Sequence, residues 1–175
     1  MSGFFAQNVG SGKPKGGKKN FPVAILRKLG CKVCPLASAE PVRSEVQPYG
    51  VEDPEFYVLR TAPRADITKV DVGKIRREES LIKEALPGRY KNLVRFGYVQ
   101  QCTPDTYPPD ERSLECCHNR TKEDIESSKP KVIIALGNIP RKFLIKQGGQ
   151  DSVWHGRYIP VKVGDHECLM RTATE

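Results

Sequence analysis

Four cysteines are the residues of this chain whose types and spacing best suit a shared ligand. Cys31 and Cys34 form a C-x2-C pair in GCKVCPL, and Cys102 and Cys117 bound the stretch CTPDTYPPDERSLECC. A C-x2-C turn lets two thiolates point at one centre from a single loop. A second pair from a distant segment would complete a four-thiolate site. The pattern favours a metal centre, and plain reduced thiols are the alternative.

The composition is that of a globular protein with a basic surface. The chain has 175 residues, of which 29% are charged and 38% hydrophobic, and its formal net charge is +8. We expect one monomeric domain over residues 21–175, preceded by a disordered basic arm over residues 1–20. A basic balance favours anionic partners, most commonly nucleic acid. No apolar run has the length of a membrane span or of a signal peptide core, so we expect a cytoplasmic protein that binds no membrane.

Strands that alternate with helices must position these residues. The apolar pattern predicts strands at 56–59, 93–100, 132–136, 158–163 and 167–170, and helices at 20–30, 76–86, 110–128 and 138–146. Residues 35–54 are expected to form a loop. This order predicts an α/β fold: three α/β/α layers around a central, mainly parallel, four-stranded sheet. In such folds, sites are built in the loops that follow the carboxyl ends of strands.

The turn after the predicted strand at 132–136 is one such loop. Gly137 and Asn138 open a helix there, and a helix N-terminus that follows a strand can bind an anion. An ordinary strand-to-helix turn explains the same residues equally well, so both interpretations stay open.

Three segments in a fixed order carry a resemblance to a known family. GCKVCPL, CTP…PPDERSLECC and KPKVIIALG resemble the iron–sulfur uracil-DNA glycosylases, often called family 4, and in particular their phage versions, over residues 22–170. The resemblance implies a uracil-DNA glycosylase-like fold, a [4Fe–4S] cluster, DNA as the partner, and uracil excision in base-excision repair. It assigns the cluster to Cys31, Cys34, Cys102 and Cys117, with Cys116 as the reserve for Cys117.

The family's GEAPG-type catalytic loop corresponds to Arg60-Thr61-Ala62-Pro63-Arg64 in this chain. Both glycines are replaced by arginine, whose side chain would crowd the space where the backbone approaches the base. Threonine cannot replace the carboxylate as a base. Asp66, the nearest carboxylate, is the candidate catalytic residue, and Arg60 and Arg64 are candidate phosphate contacts.

The family's other motifs also differ here. Its base-stacking phenylalanine corresponds to Lys74, and its base-reading asparagine corresponds to Tyr98, which lacks the paired donor and acceptor of an amide. Its histidine motif would begin at 171–175, where no histidine occurs. His155 and Arg157 fall in the family's basic DNA-contact segment and are candidate contacts to the DNA backbone, with an ordinary surface loop as the alternative.

Three interpretations follow, because the cysteine segments match the family while the catalytic positions differ from it. The chain has lost catalysis and retains DNA or uracil binding, or it is a relic without activity, or it excises uracil with other residues such as Asp66. A zinc or thiol-redox protein is a further alternative, because zinc also takes four thiolates.

Overall fold

The computed structural model describes residues 21–63, 72–145 and 151–174, apart from the side chains of Asp151 and Ser152. The strands are β1 (Tyr49–Gly50), β2 (Phe56–Arg60), β3 (Val94–Tyr98), β4 (Val132–Leu136), β5 (Tyr158–Val163) and β6 (His166–Ala173). The α-helices are α1 (Val23–Leu29), α2 (Val72–Ala85), α3 (Glu111–Ser128), α4 (Asn138–Leu144) and α5 (Asp151–Trp154), and two short 3-10 helices cover Gly30–Val33 and Gly88–Tyr90. The predicted basic arm over residues 1–20 lies outside the described residues.

All six strands form one sheet in the order β1-β3-β2-β4-β6-β5. The four central strands are parallel, and the strands β1 and β5 pair antiparallel at the two edges. The α/β class and the mainly parallel sheet are confirmed. The predicted strand number was wrong, since six strands are present in the described residues instead of four. Strand β1 has only two residues, too few to produce a periodic pattern within the predicted loop.

Helices pack on both faces of this sheet, because successive side chains of a strand point to opposite faces. On one face, Tyr57, Leu59 and Ile133 pack with Ile125 of α3 and Phe143 of α4. On the other face, strand residues pack with Ile82 and Leu86, which lie in and just after α2; they are Val58, Val94, Phe96 and Ile134. The sheet thereby separates the two helical layers.

The helix that carries the second cysteine pair has clear boundaries. Helix α3 follows Asp110 and ends at Ser128. Lys129 takes a positive φ of 46° there, and Pro130 cannot continue the helix. None of the helices in the described ranges has the length and apolar character needed to cross a bilayer.

Candidate metal centre and the adjoining edge of the sheet

Three separate segments bring five thiols into one neighbourhood. Cys31 lies in the 3-10 helix after α1, and Cys34 follows that helix directly. Cys102 pairs with Glu45 in an isolated bridge, and Cys116 and Cys117 lie on α3. Cys34 and Cys116 pack in one apolar cluster with Leu26 and Leu36, against which Cys102 also packs. The structure therefore brings together the residues that the cysteine spacing selects.

Helix α1 is held against α3 by polar contacts beside this cluster. The Nε of Arg27 and the Oε2 of Glu115 form an ion pair at 2.5 Å. The Nδ2 of Asn119 donates a hydrogen bond to the carbonyl oxygen of Arg27 at 3.0 Å. Gly30 turns the chain from α1 into the cysteine loop with a φ of 55°, a conformation that favours glycine. A Cβ there would lie 3.4 Å from the Cys116 carbonyl oxygen, so the two segments also approach closely.

Burial and mutual repulsion raise the pKa of three of these thiols. Desolvation is the largest cause for each, and it raises the pKa of Cys102 and of Cys116 to about 12 and that of Cys117 to about 11. The negative charge of neighbouring thiolates raises all three further, while a backbone hydrogen bond from Gln101 opposes the shift at Cys117. A thiol with a raised pKa keeps its proton until a metal cation displaces it. A metal would have to displace these protons, and four cysteine sulfurs are a donor set that both zinc and iron–sulfur clusters accept.

The surroundings of Cys116 and Cys117 differ. Charge on Cys117 acts on Cys102, and charges on Cys31 and Cys34 act on Cys117, so these four thiols share one electrostatic neighbourhood. Cys116 shares a hydrogen bond with Cys34 and packs with aliphatic side chains. Because charges on Cys31, Cys34 and Cys117 also act on Cys116, the electrostatics leave both cysteines of α3 as candidates for the fourth ligand.

Cys31 is the exposed member of the cluster, and Arg120 lies beside it. The Nη1 of Arg120 donates to the Cys31 sulfur at 3.6 Å, and the Nη2 of Arg120 donates to Glu45 and to Gln47. Within residues 21–63, 72–145 and 151–174, no three His, Cys, Asp or Glu side chains are close enough to hold one metal ion. A [4Fe–4S] cluster needs a wider spacing, because its thiolates bind different irons.

Arg60, the first residue of the segment that corresponds to the GEAPG-type loop, is buried inside the protein. Arg60 is 4% exposed; its Nη1 donates to Glu78 of α2 at 2.6 Å and its Nη2 donates to the Tyr49 hydroxyl at 2.9 Å. Its guanidinium carbon lies 4.7 Å from the centre of the Tyr98 ring and 5.8 Å from that of Phe96. The predicted phosphate contact of Arg60 does not fit this position, because the guanidinium is inside the protein and already paired. Tyr98, the predicted base-contact residue, is likewise buried beneath it.

The rest of that loop is also buried. Thr61 and Ala62 are each 2% exposed, and Pro63 is buried. Two other predicted residues of this region, Arg64 and the candidate catalytic Asp66, lie outside the described residues. The loop residues that precede Arg64 are therefore buried and offer no exposed surface.

Two glutamines that the sequence did not single out lie buried beside the thiols, and Gln100 connects them to this loop. Gln100 is fully buried; its backbone N–H donates to the Thr61 carbonyl oxygen at 3.0 Å and its Nε2 donates to that of Cys102 at 2.9 Å. Ser113 of α3 donates to the Gln100 Oε1. Gln101, 1% exposed, accepts a hydrogen bond from the Val46 N–H at its carbonyl oxygen. Side-chain amides in an aperiodic stretch give no pattern that marks them as buried.

A second group of predicted residues meets at the carboxyl ends of β4 and β6. Gly137 donates its N–H to the Ala173 carbonyl oxygen at 2.9 Å, and His155 forms a parallel bridge with Thr172. Asn138, His155 and Arg157 are exposed there. These three residues lie together at this edge of the sheet, and their contact with DNA stays a prediction.

Behind this edge lies a buried arginine. Arg141 of α4 is 1% exposed, donates to the Asn138 side chain at 2.6 Å, and lies with its guanidinium carbon 5.7 Å from the centre of the Trp154 ring. These contacts place Arg141 inside the protein, where it joins Asn138 to the tryptophan that precedes the exposed segment.

Searches of family models and of curated proteins each found no match to this chain. The interpretation of the site therefore depends on its own chemistry and geometry.

Proposed function

We propose that this chain is a DNA-binding protein with a uracil-DNA glycosylase-like fold, organised by a [4Fe–4S] cluster and with little or no uracil excision. The observation that carries the proposal is the convergence of Cys31, Cys34, Cys102 and Cys117 from three distant segments. Four cysteine sulfurs can also hold a zinc ion, and the resemblance of the cysteine segments to the iron–sulfur glycosylases favours the cluster. The bound cluster would have a structural role. It would hold together the cysteine loop after α1, helix α3 and the bridge between Glu45 and Cys102.

The loss of excision is inferred from Arg60. A glycosylase must accept a base flipped out of the stack and stabilise the charge that develops on it. In this chain the arginine that replaces the loop's first glycine is packed between Glu78 and the rings of Tyr98 and Phe96. An interior filled in this way leaves that loop no room to grip a base. Removal of even one charge-stabilising donor costs about 10²–10³ in rate.

DNA binding is inferred from charge and from the exposed sheet edge. The formal net charge is +8, and Asn138, His155 and Arg157 are exposed together at the carboxyl ends of β4 and β6. Contacts of these types bind the backbone without reading the sequence. We therefore expect binding that is independent of sequence and falls steeply as salt rises.

Anaerobic purification followed by iron, sulfide, zinc and visible-absorption measurements tests the cluster. We expect iron and sulfide in near-equal amounts, lost together in Cys102→Ala and in Cys117→Ala. Cys168→Ala is the matched control, because Cys168 lies on β6 and packs in the sheet core away from the five thiols. Zinc without sulfide, or iron that survives both ligand substitutions, would contradict the proposal.

The second arm of the test measures DNA and uracil separately. We expect duplex binding that weakens strongly between low and moderate salt, and no uracil release above background from uracil-containing DNA at high protein concentration. Salt-independent affinity would overturn the binding proposal. Uracil release by the wild type that is lost in Asp66→Asn would overturn the loss of catalysis.

A further inference from the structure

The hairpin of β5 and β6 exposes one face at the edge of the sheet. Its two strands place six exposed side chains on that face: Tyr158, Pro160, Lys162, Glu167, Leu169 and Arg171. The alternate residues, among them Val161, Val163 and Met170, are buried on the opposite face. The hairpin therefore contributes one face to the core and presents the other to solvent.

The exposed face is ordered in three rows across the two strands. Tyr158 lies opposite Arg171, Pro160 opposite Leu169, and Lys162 opposite Glu167. Tyr158 is 56% exposed and Leu169 is 40% exposed. An aromatic row, an apolar row and a charged row thus follow one another along the hairpin.

Arg171 fixes the orientation of the exposed ring. Its Nη1 donates to the Tyr158 hydroxyl at 2.8 Å, and its guanidinium carbon lies 5.1 Å from the centre of the ring. The ring is therefore held at the surface next to a permanent cation. Arg157, also exposed, precedes Tyr158 directly, and Lys162 stands two rows away on the same strand.

We propose that this face binds single-stranded DNA, with a base stacked on Tyr158 and phosphates at Arg171, Arg157 and Lys162. Sheet surfaces that offer an exposed aromatic ring among cations bind single strands in this way, because every base has a π-face and every linkage a negative charge. The Nζ of Lys162 lies 3.8 Å from the Oε1 of Glu167, so Arg157 and Arg171 carry the excess positive charge that complements a phosphodiester chain. The surface is separate from the thiol cluster, and binding here does not depend on that cluster.

Fluorescence anisotropy with two oligomers of equal length tests the stacking. One is oligothymidylate and the other is an abasic deoxyribose phosphate chain. We expect Tyr158→Ala to weaken oligothymidylate binding about tenfold and to leave abasic binding unchanged, since one stacked base is lost. Tyr158→Phe keeps the ring and should bind like the wild type. Equal binding of oligothymidylate by wild type and Tyr158→Ala would overturn the proposal.

Substitutions that change the charge provide a matched control and one variant that is expected to bind oligothymidylate more tightly. Arg89 lies over the ring of Tyr90 with its guanidinium carbon 4.6 Å from the centre, so Arg89→Ala removes an equivalent exposed cation elsewhere. Arg171→Ala should weaken oligothymidylate binding while Arg89→Ala leaves it within about twofold. Glu167→Gln should strengthen binding about threefold at low salt, a gain that damaged folding cannot produce.

Two further arms separate this site from other modes of binding. Duplex affinity should be the same in Tyr158→Ala as in the wild type, because a paired base cannot stack on the ring. Cys102→Ala should retain oligothymidylate binding. Tighter binding of oligouridylate than of oligothymidylate would assign the surface to RNA and overturn the proposal for DNA.

Discussion

At the scale of single residues, Arg60 shows how one substitution changes the meaning of a motif. The sequence places a cation where a glycine-containing loop would approach a base, and it suggests a phosphate contact. The structure pairs the same guanidinium with Glu78 and packs it over Tyr98. A motif fixes the position of Arg60 along the chain, but the direction of its side chain depends on a helix that approaches from elsewhere in the sequence.

Arg60 should therefore contribute to stability more than an exposed arginine of α2, the helix that carries its partner Glu78. We expect Arg60→Ala to lower the free energy of unfolding by about 2–4 kcal/mol, because it leaves a cavity and removes the partner of Glu78. Arg77→Ala, at an exposed position of α2, makes the same change in charge and should stay within about 0.5 kcal/mol of the wild type. Urea unfolding followed by circular dichroism measures both. Equal effects of the two substitutions would mean that Arg60 is not a packing residue.

At the scale of elements, the turn between β5 and β6 depends on one glycine. Gly164 has a φ of 62°, and a Cβ there would overlap the Glu126 carboxylate of α3. Glu126 accepts a hydrogen bond from the Asp165 backbone N–H at 2.9 Å, so α3 holds the turn in place. The hairpin is thereby joined to the same helix that carries Cys116 and Cys117.

Gly164→Ala should destabilise the protein by about 1–2 kcal/mol, because a side chain in the left-handed region is strained and Glu126 must move. Gly88 is the matched control, since a Cβ there meets no atom within 4 Å. Gly88→Ala should have an effect near zero. Thermal unfolding of the two variants decides the comparison, and a Gly164→Ala variant as stable as Gly88→Ala would show that the turn relaxes freely.

Most elements follow from sequence patterns of sufficient length. The run Val132–Leu136 predicts β4 with its observed bounds. Asp110 and Pro130 mark where α3 begins and ends. The two-residue strand β1 and the four-residue helix α5 are too short to carry a period. The same limit applies within the site: the cysteine spacing predicts which thiols meet, whereas nothing in the local sequence predicts that Gln100 connects Thr61 to Cys102.

At the scale of the whole molecule, the thiol cluster joins a peripheral unit to the sheet. Helix α1 and the cysteine loop after it contact α3 through Arg27, Leu26 and Gly30, while the sheet core is built from β2, β3, β4 and β6. The sheet has its own buried apolar side chains, among them Tyr57, Leu59 and Ile133. The strand order could not be read from the sequence, because it depends on which strands a long connection brings together.

Loss of the proposed cluster should accordingly open one region and leave the other folded. We expect chelation of the metal to remove hydrogen-exchange protection from residues 23–34, because the short helix α1 then keeps only its contacts with α3. Protection in β4 should persist, since that strand is buried in the centre of the sheet. Hydrogen exchange of loaded and chelated protein, read by mass spectrometry, compares the two regions in one sample. Simultaneous loss of protection in both would mean that the cluster supports the entire fold, and unchanged protection in both would mean that the thiols hold no group that orders α1.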